Sequence, residues 1–139
     1  MIILDTNVVS ALMRPKLNSV VVEWADRQPR KSLWTTSVSL MEIRIGLLLM
    51  PKGQRREMMT DSFSELLEGV FLDRVLPLDV NAAEHASSVH CTHRENGRNV
   101  GTGDVQIAGI ALAHRATLAT RNTRDFADLA IPLVNPWAS

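Results

Sequence analysis

Short apolar runs alternate with helical segments along the whole of this chain, and that alternation leaves few folds open. Ile2-Ile3-Leu4 ends at once in Asp5, the pattern of a strand buried on both faces. Ser32–Thr36, Ala116–Thr120 and Ile131–Val134 read as further strands, as does Arg74–Leu78 despite Pro77. Between them lie helical patterns. One, capped by Asn18 or Ser19, carries Val21, Val22, Trp24 and Ala25 and stops near Pro29. The next runs from Leu40 to Met50 and is apolar nearly all round, which allows cover on both of its faces, by the core or by a partner chain. Gln54 to Leu67 follows, closed by Gly69. Asp79 caps a helix over Ala82–Arg94 that stops at Asn96-Gly97, and Thr102 or Asp104 opens a last one with Ile107, Ala108, Ala111 and Leu112 on one face.

Strands alternating with helices imply an α/β fold: an open parallel sheet with helices on both sides, three layers in all. A chain of 139 residues is long enough for one real core, and no linker, low-complexity stretch or repeat divides it. A single domain over residues 1–139 is therefore expected. Ligands of such sheets bind beyond the carboxyl ends of the strands. Asp5 stands at such an end, and so does the segment Thr120–Asp125.

The carboxylates carry the chemistry. Asp5 directly follows a buried strand, where an unpaired charge is expensive. Glu42 and Asp104 each fall near the start of an expected helix. Each has a plain structural explanation. Ser39 and Glu42 have capping-box spacing, Asp104 suits the positive end of a helix, and Asp5 can cap the turn after its strand. Together they say more. If three carboxylates meet at about 6 Å, each pair repels by roughly 3 kcal/mol at an effective dielectric near 20. Protonation or a hard dication must relieve that, and magnesium suits carboxylates with retained water.

Fifteen basic and fifteen acidic residues cancel, so net charge gives no attraction to nucleic acid. The basic residues nonetheless cluster at Arg27–Lys31, Lys52–Arg56 and Arg121–Arg124. One cysteine, Cys91, excludes an internal disulfide, the start of the chain lacks a signal-peptide pattern, and no apolar run is long enough to span a bilayer. These features lead to an expectation of a cytoplasmic protein without a membrane association. His85, His90, His93 and Cys91 lack a second pair at zinc spacing and read as a helix face. With no tyrosine and few other aromatics, base-stacking platforms are scarce, so any nucleic acid would be gripped through its phosphates. Arg14, Arg44, Arg121 and Arg124 are the candidates for that contact.

Five segments in order resemble PIN-domain toxins. They are Leu4-Asp5-Thr6-Asn7-Val8, Glu42-Ile43-Arg44-Ile45-Gly46, Gly103-Asp104 with Ile107-Ala108, Leu118 to Phe126, and Asn135-Pro136-Trp137. The likeness covers essentially the whole chain and is to the VapC and FitB branch of bacterial type II toxin–antitoxin systems. It implies a PIN fold and a Mg2+- or Mn2+-dependent endoribonuclease, with metal-activated water as the nucleophile. It carries Asp5, Glu42 and Asp104 over as metal ligands, and suggests Thr6 or Asn7 and Thr120 as polar supports behind them. It also implies a homodimer and a small cognate antitoxin.

The chain departs from the family pattern in one place. Asn122 stands where some relatives carry a fourth acid, and Asp125 follows three residues later. Asp125 is expected to supply that charge from outside the ligand set. Gly101-Thr102-Gly103 gives Asp104 a flexible approach. Two other readings remain open: a PIN-fold nuclease acting on structured DNA, and a metal-binding interaction module whose catalysis has weakened.

Overall fold

The computed structural model describes residues 1–138. Ser139, the last residue of the expected domain, lies outside the described residues. The chain opens with β1 (Ile2–Leu4), α1 (Thr6–Leu12) and α2 (Ser19–Asp26). A 3-10 turn over Arg30–Ser32 leads into β2 (Leu33–Thr36), α3 (Ser37–Leu49) and α4 (Gln54–Glu68). Then come β3 (Val75–Leu76), α5 (Val80–Glu95), α6 (Thr102–His114), β4 (Thr117–Ala119), α7 (Thr123–Phe126) and β5 (Leu133–Val134).

The five strands form one sheet in the order β3-β2-β1-β4-β5, and every pairing is parallel. The chain moves outward from β1 through β2 to β3, then returns to lay β4 against the other side of β1. The order thus reverses between β1 and β4, where Leu4 pairs with Ala119. That reversal opens a crevice at the carboxyl ends of these two strands.

Alternate residues of the central strands feed opposite cores, as the period of two in a strand requires. Ile3 and Leu118 pack with Val89, Ile107, Ile110 and Phe126 on the α5–α6 side. Leu4 and Ala119 pack with Val8, Val9, Trp24 and Phe63 on the α1–α4 side. This is the three-layer α/β/α arrangement expected from the alternation. Helices α5 and α6 lie so close that a β-carbon on Gly109 would stand 2.5 Å from the Ala82 carbonyl oxygen and 2.7 Å from the Ala86 nitrogen. Neither backbone atom can yield cheaply, so glycine is required there.

Several expectations need correction. Helix α1 was not expected at all, although Asp5 caps it and Val8, Val9 and Ala11 bury one face. Asn18 precedes α2 but makes no side-chain cap; its amide nitrogen donates to the Arg14 carbonyl at 3.1 Å. Helix α3 begins at Ser37 rather than Leu40, because the Thr36 hydroxyl accepts from the Ser39 N–H at 3.0 Å. Its outer face is not covered: Met41, Ile45, Leu48 and Leu49 are exposed. Helix α6 opens at Thr102 as expected, with Gly101 in the cap position. Asp79 caps α5 as expected, accepting from the Ala82 N–H at 2.9 Å. His90 is exposed while His93 is buried, so the two do not share a face. Among the described residues no helix is long and apolar enough to cross a membrane.

Candidate active site

Asp5 is the fixed point of the site. It ends the buried strand β1 and is itself only 2 % exposed. As the cap of α1, its Oδ1 accepts from the Thr6 N–H at 2.8 Å. Its Oδ2 accepts from the Thr120 hydroxyl at 2.7 Å and from the Asn7 amide at 3.4 Å. Thr120 ends β4 across the crevice and takes a hydrogen bond from the Asn122 N–H at 3.0 Å. The Asn7 side-chain oxygen, Oδ1, accepts from the Arg121 backbone N–H at 3.3 Å, a further tie across the same gap.

Glu42 reaches the site from α3. It does not close a capping box, since Thr36 caps that helix. Instead its Oε1 accepts from the Thr6 hydroxyl at 2.6 Å, and Thr6 also lies 2.9 Å from the buried Ser39 hydroxyl. Asp104 stands half-buried in the first turn of α6, where the helix dipole favours an anion. Asp125 lies half-buried in the short helix α7.

The four carboxylates feel one another. Burial raises the Asp5 carboxyl above the usual 3.8; Glu42 and Asp125 add to the rise, while the Thr120 hydroxyl and Thr6 N–H oppose it. Burial also pushes Asp104 up to about 6, with Asp5, Asp125 and Glu42 contributing in that order. The one ion pair among the described residues, Arg98 with Asp128, involves none of the four. Among the described residues no ion pair with a basic side chain relieves the repulsion within the cluster. Among the described residues, no three such side chains are yet drawn tightly enough together to hold a metal ion.

A groove of about 550 Å³ leads away from Thr6, Asn7 and Glu42 between α1 and α3, and Arg14, Arg121 and Trp137 also line it. The Arg121 guanidinium lies over the Trp137 ring, 4.8 Å from its centroid. Of the four arginines expected near the site, the structure thus brings Arg14 and Arg121 to the groove. Arg44 turns instead onto Phe63, 4.9 Å from the ring centroid. Arg124 is exposed, and its carbonyl accepts from Arg98 at 2.8 Å. Asn122 is exposed and offers its backbone N–H rather than a side-chain cap.

Three residues escaped the sequence reading. Ser39 was taken as a cap and is a buried support for Thr6. Trp137 was noted only as part of a motif. Gly103 was read for flexibility, yet a β-carbon there would stand 2.6 Å from Glu42 Oε2. No local pattern signals that last contact, because it joins residues from α3 and α6.

The family model that matches this chain is the PIN domain, over residues 2–132. The chain belongs to the PIN-domain family. This PIN protein is 36 % identical to the VapC ribonuclease Y4jK of Sinorhizobium fredii, covering 99 % of this chain and 98 % of that one. It is 30 % identical to the toxin FitB of Neisseria gonorrhoeae, covering 99 % of both. The crystal structure of FitAcB from Neisseria gonorrhoeae superposes with a TM-score of 0.86 at 31 % identity over 100 % of both chains. VapBC-5 from Mycobacterium tuberculosis, described as a member of the VapBC family of toxin-antitoxin systems, matches with a TM-score of 0.68 at 26 % identity over 95 % of this chain and 94 % of that one. The expected VapC and FitB branch is therefore the right one.

Proposed function

We propose that this PIN-domain protein is the toxin of a type II toxin–antitoxin pair and hydrolyses phosphodiester bonds in RNA. One observation carries the reading. At the strand-order reversal Asp5 and Glu42 are both bonded to Thr6, Glu42 lies against Gly103 beside Asp104, and burial with the charges of neighbouring acids, Asp125 among them, raises Asp5 and Asp104 above their usual range. Such a cluster has the donor chemistry of a hard divalent cation, Mg2+ or Mn2+. Asp5, Glu42 and Asp104 would hold it, with Asp125 outside them as a further negative charge. When bound, the cation supplies a Lewis acid that makes water nucleophilic at neutral pH and neutralises charge on a phosphoryl oxygen.

The chain's own residues do the rest. The Thr6 N–H and the Thr120 hydroxyl oppose the effect of burial on Asp5 and fix its direction. The Thr6 hydroxyl holds Glu42 toward the same crevice. Arg14 and Arg121 line the groove that continues from the acids and supply positive charge for the phosphates flanking the cut bond. The names of the relatives, a VapC ribonuclease and a toxin, support RNA as substrate and an antitoxin as partner. Met41, Ile45, Leu48 and Leu49 form an exposed apolar stripe at helical spacing on α3, which supports a homodimer formed through that face. RNA as the substrate supports a cytoplasmic site of action.

The test uses purified protein freed of any antitoxin, incubated with RNA, single-stranded DNA and flap DNA. Cleavage of RNA that needs Mg2+ or Mn2+ and stops with EDTA is expected. It should fall by at least about a hundredfold in Asp5→Asn and Asp104→Asn, the scale of losing a group that stabilises transition-state charge. Activity that survives EDTA sinks the reading, and preference for DNA replaces it with a DNA nuclease.

A further inference from the structure

Gly103 precedes Asp104 on α6, and its missing side chain leaves a gap that the Glu42 carboxylate occupies. A β-carbon at this position would stand 2.6 Å from Oε2, 3.1 Å from Cδ and 3.4 Å from Oε1 of Glu42. No real β-carbon tolerates the first of these distances. The backbone of Gly103 does not require glycine, since it has no positive φ, unlike Gly53 and Gly97. Nor does helix formation, in which glycine is worse than alanine by about 1 kcal/mol. The three nearest atoms all belong to the end of the Glu42 side chain, so a substitution would move that carboxylate rather than the backbone.

We propose that Gly103 is a positioning residue: its bare backbone lets Glu42 share one site with Asp104. Two constraints hold Glu42 there. The Thr6 hydroxyl binds Oε1 from one side, at 2.6 Å, and the Gly103 gap admits Oε2 on the other. A methyl group at 103 fills the gap and turns the carboxylate out of the cluster. Gly101, two residues earlier, provides the internal control. A β-carbon there meets nothing within 4 Å, so Gly101→Ala removes the same backbone freedom without touching Glu42. The two glycines flanking Thr102 therefore differ in kind, one occupying open space and the other making room for a carboxylate.

The inference rests on the reading of the acids as a cation site, and the experiment separates the two. Mn2+ binding to metal-free protein is measured by calorimetry, and Tm is recorded for each variant. Wild type and Gly101→Ala should bind Mn2+ equally. Gly103→Ala should bind about tenfold more weakly, the usual scale for disturbing the support of a ligand, with Tm within a few degrees of wild type. Adding Glu42→Asp to Gly103→Ala shortens the displaced side chain and should recover part of the lost affinity. That recovery is a result that simple loss of packing would not give. If Gly103→Ala binds as wild type does, or loses affinity only together with a large fall in Tm, the positioning role is wrong while the cation site stands. Equal weakening in Gly101→Ala assigns the effect to flexibility and overturns the proposal. A wild-type protein that binds no Mn2+ overturns both.

Discussion

The Thr120 hydroxyl donates to Asp5 Oδ2 at 2.7 Å, joining the ends of β4 and β1 across the crevice where the strand order reverses. Both residues are buried, at 0 % and 2 % exposed, so the bond lies out of water's reach. It opposes the effect of burial, which otherwise raises the Asp5 carboxyl. A hydrogen bond to the charged form is what keeps such a group ionised.

Thr120→Val keeps the shape and removes the hydroxyl. Hydrogen bonds to charged groups contribute about 1.5–3 kcal/mol, and a loss of that order is expected at neutral pH. Asp5 should then titrate higher still, so metal binding and RNA cleavage should switch on at a higher pH than in wild type. Thr120→Ser retains the donor and should restore the profile. A Thr120→Val profile superimposable on wild type would show that the bond does not hold Asp5 ionised.

Asp104 gives a pH dependence of opposite sense to the usual carboxylate. Its folded value of about 6 lies above the unfolded 3.8, so between the two the folded state holds more protons. Stability of the metal-free protein from this group is greatest below the unfolded value and falls as pH rises to about 6. Asp5 is shifted in the same direction. The metal-free Tm should therefore be higher at pH 5 than at pH 7.5, and Mg2+ or Mn2+ should raise the value at pH 7.5 by binding the folded state alone. Asp104→Asn should raise the metal-free Tm at pH 7.5 while removing the metal response. A Tm that instead climbs from pH 5 to pH 7.5 in metal-free wild type would contradict the burial and mutual repulsion that raise these carboxyls.

How far the sequence exposed the site depends on whether a residue's role is local. Asp5 was legible because an acid directly after an apolar run must sit at a strand end. The layers were legible because strand and helix periods alternate along the chain. Helix α1 was missed although Val8, Val9 and Leu12 have helical spacing after a capping Asp5; its 7 residues make a short signal. The role of Ser39 was misread because its spacing to Glu42 imitates a capping box, while Thr36 holds the better position one turn earlier. Gly103 and the Arg121–Trp137 pair were invisible in principle, since their partners come from distant segments. Whether the core or a partner covers the apolar face of α3 stayed open because sequence shows how apolar a helix is, not which neighbours reach it.

That uncovered face yields a test of assembly. Leu48 and Leu49 are 66 % and 79 % exposed, so replacing both with Glu removes no core contact. The double variant should elute as a monomer by light scattering where wild type is a dimer, with Tm for the monomeric unit little changed. A wild type that is already monomeric would refute the homodimer. A variant that stays dimeric would place the interface elsewhere and leave this face to the antitoxin.

The arginines divide by where their side chains point. Arg14 and Arg121 line the groove that Glu42 also lines, whereas the half-buried Arg44 packs over Phe63. For single-stranded RNA, each lost phosphate contact flattens the slope of log affinity against log salt by about 0.7. Arg14→Ala and Arg121→Ala, measured in the Asp104→Asn background to prevent cleavage, should each weaken RNA binding and flatten that slope by about this amount. Arg44→Ala should leave the slope alone and lower stability by about 0.5–1 kcal/mol, the scale of one cation–π contact. The Arg121 change also uncovers Trp137, so any new preference among RNA sequences would report a base meeting that ring. Flattening by Arg44→Ala, without it in Arg121→Ala, would move the RNA path off this groove.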